Sequence, residues 1–177
     1  EIPTCFITDP ASLQVSDLTQ TTATVTWTDS DENNTTWTVY YKASADEEYL
    51  SETTTETTVE LIDLLPGTPY EVYVTTVCED GSESDATYTK QFYTLQEAVE
   101  LPYTCDFEEE GANGWLIKNG TIVNQWHIGT PTGATSSSLF ISNDNGTTVA
   151  YTITSSSVVV AEKLFQLGAT DSVRISF

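Results

Sequence analysis

Residues 61–78 read LIDLLPGTPYEVYVTTVC, and this stretch decides the fold of the first half of the chain. Within it, residues 72–77 are a run of β-branched and aromatic side chains that point alternately to opposite faces, which is the pattern of a strand in a two-layer sheet. Before this run, Pro66 and Gly67 indicate a turn, because proline presets φ and glycine accepts a positive φ. The stretch therefore predicts a turn followed by a strand of a β-sandwich.

The amino-acid composition favours strands over helices in the rest of the chain as well. Among 177 residues, valine, threonine and aromatic side chains are abundant and methionine is absent. The length suits one large or two small domains, and we predict two, residues 1–95 and 96–177. No apolar run approaches the length of a membrane span, so we predict no direct membrane insertion.

The charge of the chain is strongly acidic, with 27 acidic residues against 5 basic ones and a net charge of −22. Residues 1–95 hold 18 of the acids and 2 of the bases, which gives this half a net charge of −16. Such a surface repels phosphate backbones and anionic lipids, so we exclude nucleic acid as a partner. The acidic charge is typical of a solvated extracellular surface or of a surface that binds divalent cations. Solubility alone is the simpler explanation of this charge.

The order Leu-x-x-Leu-x-Pro-Gly-Thr-x-Tyr-x-Val-x-Val in residues 61–74 resembles the E–F corner of fibronectin type III domains. The resemblance covers residues 3–94 and implies a seven-stranded sandwich. It makes Tyr70 the corner tyrosine, whose hydroxyl is tied to the backbone a few residues upstream. It also makes Trp27 the core tryptophan of the second strand. We expect a short first strand at residues 3–8, stopped by Asp9 and Pro10, and further runs at 13–18, 23–28, 36–42, 49–50, 57–62 and 87–94.

The three cysteines are too few for a disulfide-stapled mini-protein, and their spacing matches no zinc site. In fibronectin-like modules of surface proteins from Bacteroidetes-type bacteria, cysteines at the places of Cys5 and Cys78 form a recurrent pair. The resemblance therefore implies a disulfide between them and an oxidising compartment, with two free buried thiols as the alternative. Cys105 is then either buried or paired with a cysteine outside this sequence.

The second half resembles a different family. LPYTCDFEE at 101–109, GW at 114–115, QWHIG at 125–129, SLFISN at 138–143 and DSVRISF at 171–177 are similar to the cleaved-adhesin or choice-of-anchor modules. These are MAM-like jelly rolls of secreted multidomain bacterial proteins. A jelly roll normally has about eight strands, and we identify about six runs, so we expect an incomplete module of a longer protein. The runs are residues 103–107, 115–118, 122–128, 138–142, 148–153 and 172–177.

His127 is the only histidine, so any catalytic triad would have to use it. No Gly-x-Ser-x-Gly elbow accompanies it, and we therefore predict a structural role and no enzyme activity. The resemblance likewise places Trp126 and His127 in the core and the sheet. With 27 acidic residues, a nearby pair of carboxylates arises by chance and carries no weight.

Calcium is the one cofactor that the second resemblance suggests. It takes six to eight oxygen ligands, and the resembled modules hold it near the Asp-Phe-Glu segment. Here that indicates Asp106 and Glu108 with Asp144, helped by the asparagines on either side of Asp144. Residues 144–146, Asp-Asn-Gly, are equally a β-turn signal, and both interpretations stay open.

The sequence therefore predicts an all-β chain, a fibronectin type III sandwich followed by a truncated jelly roll. We predict a non-catalytic adhesion or binding region of a secreted or cell-surface bacterial protein, attached to further domains of the same polypeptide. Its partner would be a host or matrix protein or a glycan. The alternative is a pair of carbohydrate-binding accessory modules of a larger extracellular glycosidase or peptidase, with sugar stacking on some of Tyr88, Tyr93, Tyr103, Trp115, Trp126 and Tyr151.

Overall fold

The computed structural model describes residues 5–109, 114–154 and 158–169. The chain divides into two compact units, Glu1–Leu95 and Gln96–Phe177. All regular secondary structure in the described ranges is strand, which confirms the all-β fold class. In the same ranges, no helix has the length and apolar character that a membrane crossing requires.

In its described residues, 5–95, the first unit contains seven strands in two antiparallel sheets that enclose one core. One sheet has the order β1-β2-β5 and the other the order β4-β3-β6-β7. The strands are β1 (Asp9–Ser16), β2 (Ala23–Thr28), β3 (Trp37–Ala43), β4 (Leu50–Thr54), β5 (Thr58–Leu61), β6 (Pro69–Thr76) and β7 (Lys90–Tyr93).

The core of this unit is formed by alternate residues of the strands, as the period-two pattern requires. Val25 of β2, Val39 of β3 and Val74 of β6 are fully buried. Trp27 and Trp37 are buried beside them, with their ring centroids 6.1 Å apart in an edge-on contact. Edge-on aromatic pairs add to the free energy of burial, so the two tryptophans help to hold the two sheets together.

Tyr70 lies at the corner where β5 leads into β6. Its hydroxyl oxygen accepts a hydrogen bond from the backbone N–H of Leu65 at 2.9 Å, and its ring stacks on Phe92 with centroids 5.5 Å apart. The turn between them has Gly67 at φ 59°, where a side chain would be strained. This is the tyrosine corner that the resemblance implies.

A disulfide joins the N-terminal segment to the residues just after β6. Cys5 and Cys78 form a disulfide with their Cα atoms 5.4 Å apart, and Cys105 is a free, half-buried thiol. The bond closes a sequence separation of 73 residues.

Asp29 is a second anchor for the same segment, and the sequence did not indicate it. Its carboxylate accepts hydrogen bonds from the Trp37 indole N–H at 3.1 Å, from the Asn34 amide at 2.8 Å and from the Thr8 hydroxyl at 3.1 Å. Partial burial raises the pKa of Asp29, but the hydrogen bonds from the Trp37 and Asn34 side chains and from the Asp31 and Thr8 backbone outweigh it and hold the pKa below its ordinary value.

The prediction of a strand at residues 3–8 that ends at Asp9 is wrong in its described part, because residues 5–8 are not strand. The first strand starts at Asp9 and contains Pro10. Proline is tolerated there because β1 is an edge strand and its pairing with β2 is irregular between Asp9 and Gln14. The Ser12 hydroxyl accepts from the Thr28 backbone N–H at 2.8 Å and so bridges the irregularity.

The second unit contains six short strands that form three separate pairs in its described residues. β10 pairs with β11 and β9 with β12, both antiparallel, while β8 and β13 pair in parallel. The strands are β8 (Val99–Glu100), β9 (Leu116–Lys118), β10 (Gln125–Gly129), β11 (Ser138–Ser142), β12 (Val160–Glu162) and β13 (Phe165–Gln166). The jelly-roll assignment of this unit stays a prediction.

Two of the runs expected in this unit are not strands. None of the residues 103–107 is strand, and the run ends at Phe107 with φ 62°, in the left-handed region that extended strands do not adopt. The run at 148–153 has one backbone bond to β11, from the Ala150 N–H to the carbonyl oxygen of Ile141 at 3.3 Å. It is held further along by a side chain: the Asn124 amide donates to the carbonyl oxygen of Thr152 at 2.9 Å and accepts from its N–H at 2.7 Å. The run at 172–177 lies outside the described residues.

Removing the disulfide will destabilise the first unit. Replacing Cys5 and Cys78 together by alanine should lower the free energy of unfolding by about 4 kcal/mol, because a closed loop of this length restricts the unfolded chain. Denaturant unfolding monitored by tryptophan fluorescence measures the loss, with Cys105→Ser as the control. Thiol titration in denaturant should find one free thiol, from Cys105; three free thiols would contradict the pairing.

Tyr70→Phe will remove the corner hydrogen bond and leave the Leu65 N–H without its partner. We expect a loss of about 1 kcal/mol in the free energy of unfolding, the usual contribution of one such bond. Tyr88→Phe, at a position where 71% of the side chain is exposed, is the matched control and should change little. Equal stability of the two variants would show that the hydroxyl of Tyr70 does not hold the corner.

Candidate binding surfaces

Asp144 organises the loop that follows β11. One oxygen of its carboxylate accepts from the backbone N–H groups of Thr147 at 3.1 Å and Thr148 at 2.9 Å, and from the Ser142 hydroxyl at 2.5 Å. The other oxygen accepts from the Thr148 hydroxyl at 2.7 Å. The bonds from Ser142 and then Thr148 lower the pKa of Asp144 to about 2. The carboxylate is thus occupied by its own loop.

The other two predicted calcium ligands also bind backbone groups. Glu108 accepts from the N–H of Ser137 at 2.8 Å, and Asp106 accepts from the N–H of Glu108 at 3.1 Å. In residues 5–109, 114–154 and 158–169, no group of three or more His, Cys, Asp or Glu side chains is placed to hold a metal ion. Asp144 makes the backbone hydrogen bonds of the turn interpretation. Calcium binding stays a prediction, and no part of the function proposed below depends on it.

Trp126 and His127 lie side by side in β10. His127 is opposite Phe140 of β11, with ring centroids 6.0 Å apart. The Asn119 amide binds both backbone groups of Trp126: it donates to the carbonyl oxygen at 2.9 Å and accepts from the N–H at 2.7 Å. Both residues are half-buried, and these contacts are those of a sheet.

The aromatic residues considered for sugar stacking differ in exposure. Tyr88 and Tyr151 are exposed, at 71% and 67%, whereas Tyr93, Trp115, Trp126 and Tyr103 are half-buried. Tyr103 contacts Phe165 edge-on at 5.3 Å between centroids, so part of its ring is used for packing. Tyr88 and Tyr151 are the ones whose faces are open to a ligand.

A group of tyrosines that the sequence did not indicate lies on the outer side of the four-stranded sheet. Tyr40 of β3 is directly opposite Tyr73 of β6, and their rings stack at 5.0 Å between centroids with planes 20° apart. Tyr49 meets the ring of Tyr73 edge-on, also at 5.0 Å. We call this row, with Lys42, Glu71 and Glu83 at its ends, the tyrosine face.

Carboxylates fix both ends of the tyrosine face. The Tyr40 hydroxyl donates to Glu83, with the two carboxylate oxygens at 2.8 and 2.9 Å. The Tyr49 hydroxyl donates to Glu71 at 2.5 Å. Glu71 also pairs with the Lys42 ammonium at 3.4 Å, and that ammonium lies 4.9 Å from the centroid of the Tyr49 ring.

The phenols of this face are held in the protonated form. Burial, followed by the hydrogen bond to Glu83 and the charge of that carboxylate, raises the pKa of Tyr40 to about 12. The hydrogen bond to Glu71, followed by burial, raises the pKa of Tyr49 to about 12. Both hydroxyls therefore stay hydrogen-bond donors at any physiological pH.

The first unit matches a known family. The family model described as "Fibronectin type III domain" matches residues 8–90. The first unit contains a fibronectin type III domain. Domains of this kind are generally non-catalytic, and they are typical adhesion or spacer modules of extracellular proteins.

Solved fibronectin type III domains are similar to the chain at low identity. The fn3 domain of human contactin 1 is 20% identical and matches with a TM-score of 0.48 over 59% of this chain and 87% of its own. A two-domain segment of chicken tenascin is 25% identical, with a TM-score of 0.45 over 50% of this chain and 51% of its own. No curated protein matches the chain.

Stability of the Asp144 loop will depend on pH. Because the pKa of Asp144 falls from its ordinary value of 3.8 to about 2 on folding, the ionised carboxylate stabilises the folded loop above pH 4. That contribution is lost as the pH falls through about 2. Carbon-13 NMR titration of the carboxyl group should give a midpoint near the lower value; a midpoint near 3.8 would contradict the hydrogen-bonded loop.

Proposed function

We propose that the chain is a non-catalytic adhesion or binding region of a secreted or cell-surface bacterial protein. The fibronectin type III domain acts as a spacer, and residues 96–177 form the module that contacts the partner. The observation that carries the proposal is the disulfide-pinned fibronectin type III sandwich, because such domains are typical adhesion or spacer modules and occur in multidomain proteins.

Compartment and charge support this proposal. The Cys5–Cys78 disulfide favours an oxidising environment outside the cytoplasm. The net charge of −22 keeps the surface solvated and disfavours anionic polymers as partners. A protein or glycan partner fits both constraints.

The second unit offers the surface for that contact. Val149, Tyr151 and Ile153 alternate along the segment held by Asn124, and all three are exposed, Ile153 at 84%. Exposed apolar side chains that follow one another closely along a segment are candidates for contact with a partner. Contact would therefore be made by this segment and the neighbouring loops, in keeping with a jelly-roll adhesion module.

Carbohydrate binding is the second candidate, since Tyr151 is open to stacking on a sugar ring. In that case the chain would be an accessory region of a larger extracellular glycosidase or peptidase. The two candidates share Tyr151 in the proposed contact surface and differ in the partner.

Binding of the full chain to an array of extracellular-matrix proteins and to a glycan array separates the candidates. Under the adhesion proposal, a matrix protein should bind, and Ile153→Ser should weaken binding while Leu50→Ser, an exposed position of the first unit, should not. Glycan binding that is lost on Tyr151→Ala would support the second candidate. No binding on either array would contradict both.

A further inference from the structure

We propose that the tyrosine face of the fibronectin type III domain is a docking surface for an arginine-rich segment of another protein. This gives the first unit a partner of its own, in addition to its role as a spacer. The inference rests on contacts within the first unit and is independent of what the second unit binds.

The shape of the face suits a planar cation. Tyr40 and Tyr73 stack and Tyr49 meets Tyr73 edge-on, so three half-buried rings form one cluster on the outer side of the sheet. A guanidinium group stacks on aromatic rings and forms paired hydrogen bonds with a carboxylate, which an ammonium group cannot do in the same geometry. Rings beside carboxylates therefore favour arginine over lysine.

One end of the face already holds a cation. The Lys42 ammonium lies over the Tyr49 ring and pairs with Glu71, in a site where only 16% of the Lys42 side chain and 23% of the Glu71 side chain is exposed. The combination of a tyrosine ring and a carboxylate is thus used for cation binding within this domain.

The other end has the same combination without a cation. Glu83 is exposed and lies at the end of the stacked pair, where it accepts from the hydroxyls of Tyr40 and Thr75. Within the described ranges, the ion pairs of the chain are Lys42–Glu71 and Lys118–Glu162, so Glu83 has none. A carboxylate has about four acceptor positions, so Glu83 retains capacity for a guanidinium.

The position of Glu83 is fixed before any partner arrives. Its backbone forms a β-bridge with Val77, next to the disulfide-bonded Cys78. Its neighbour Ser84 donates its N–H to the carbonyl oxygen of Thr76 and accepts from the Thr76 N–H at 3.0 Å. A preformed site loses little conformational entropy on binding, which favours affinity.

The net charge of residues 1–95 favours a basic partner. Its net charge of −16 attracts cationic segments and repels acidic ones over about one Debye length. This attraction alone would act on any polycation, so the test must separate the tyrosine face from the overall charge.

Fluorescence anisotropy of labelled hexa-arginine and hexa-lysine peptides with the full chain, in 150 mM salt, provides that test. We expect hexa-arginine to bind more tightly than hexa-lysine. Tyr40→Leu and Tyr73→Leu should each weaken hexa-arginine binding by about fivefold, within the range of one cation–π contact. Tyr88→Leu has the same change in composition at an exposed site elsewhere and should leave affinity unchanged within about twofold.

Two further variants control for folding and charge. Tyr40→Phe keeps the ring, so it should retain hexa-arginine binding; a loss equal to that of Tyr40→Leu would overturn the stacking role. Glu83→Gln should weaken binding more than Glu60→Gln, which removes the same charge from the other sheet. Equal effects of the two, equal affinity for the two peptides, or no binding of hexa-arginine would overturn the proposal.

Discussion

The antiparallel pairing of β3 with β6 is the constraint on which the rest of the first unit depends. Seven residue pairs join the two strands, from Trp37 opposite Thr76 to Ala43 opposite Tyr70. Because side chains alternate between faces, this one register places Val39 and Val74 in the core and stacks Tyr40 on Tyr73 outside it. A slip by one residue would exchange the two faces.

Contacts at both ends of β6 stabilise its register with β3. At its start the Tyr70 hydroxyl holds the preceding turn, and just beyond its end Cys78 is bonded to Cys5. The segment that carries Cys5 is held in turn by Asp29 through Thr8. The β-bridge between Val77 and Glu83, next to the disulfide, also holds Glu83 beside Tyr40. The contacts that stabilise this end of β6 therefore also position the proposed binding surface.

Alternation in the sequence predicted most strands of the first unit, because each sheet buries one face and leaves the other in water. The tyrosine face was not predictable in this way. Tyr40 and Tyr73 meet through the register of two strands far apart in sequence, which a local pattern does not specify. In the second unit, the amides of Asn119 and Asn124 replace strand partners, and such side-chain pairing has no periodic signal.

The hydrogen bond of Tyr70 and the disulfide could be predicted only from a family resemblance, because no local sequence pattern relates Cys5 to Cys78. The calcium ligands suggested by the second resemblance stay a prediction, and in the structure Asp144 accepts the backbone hydrogen bonds that its turn signal indicates. The register of β3 with β6 can be tested directly by NMR. We predict ring-to-ring NOEs between Tyr40 and Tyr73 together with slow amide exchange at Val39 and Val74. NOEs from the Tyr40 ring to Val72 or Val74 in place of Tyr73 would contradict it.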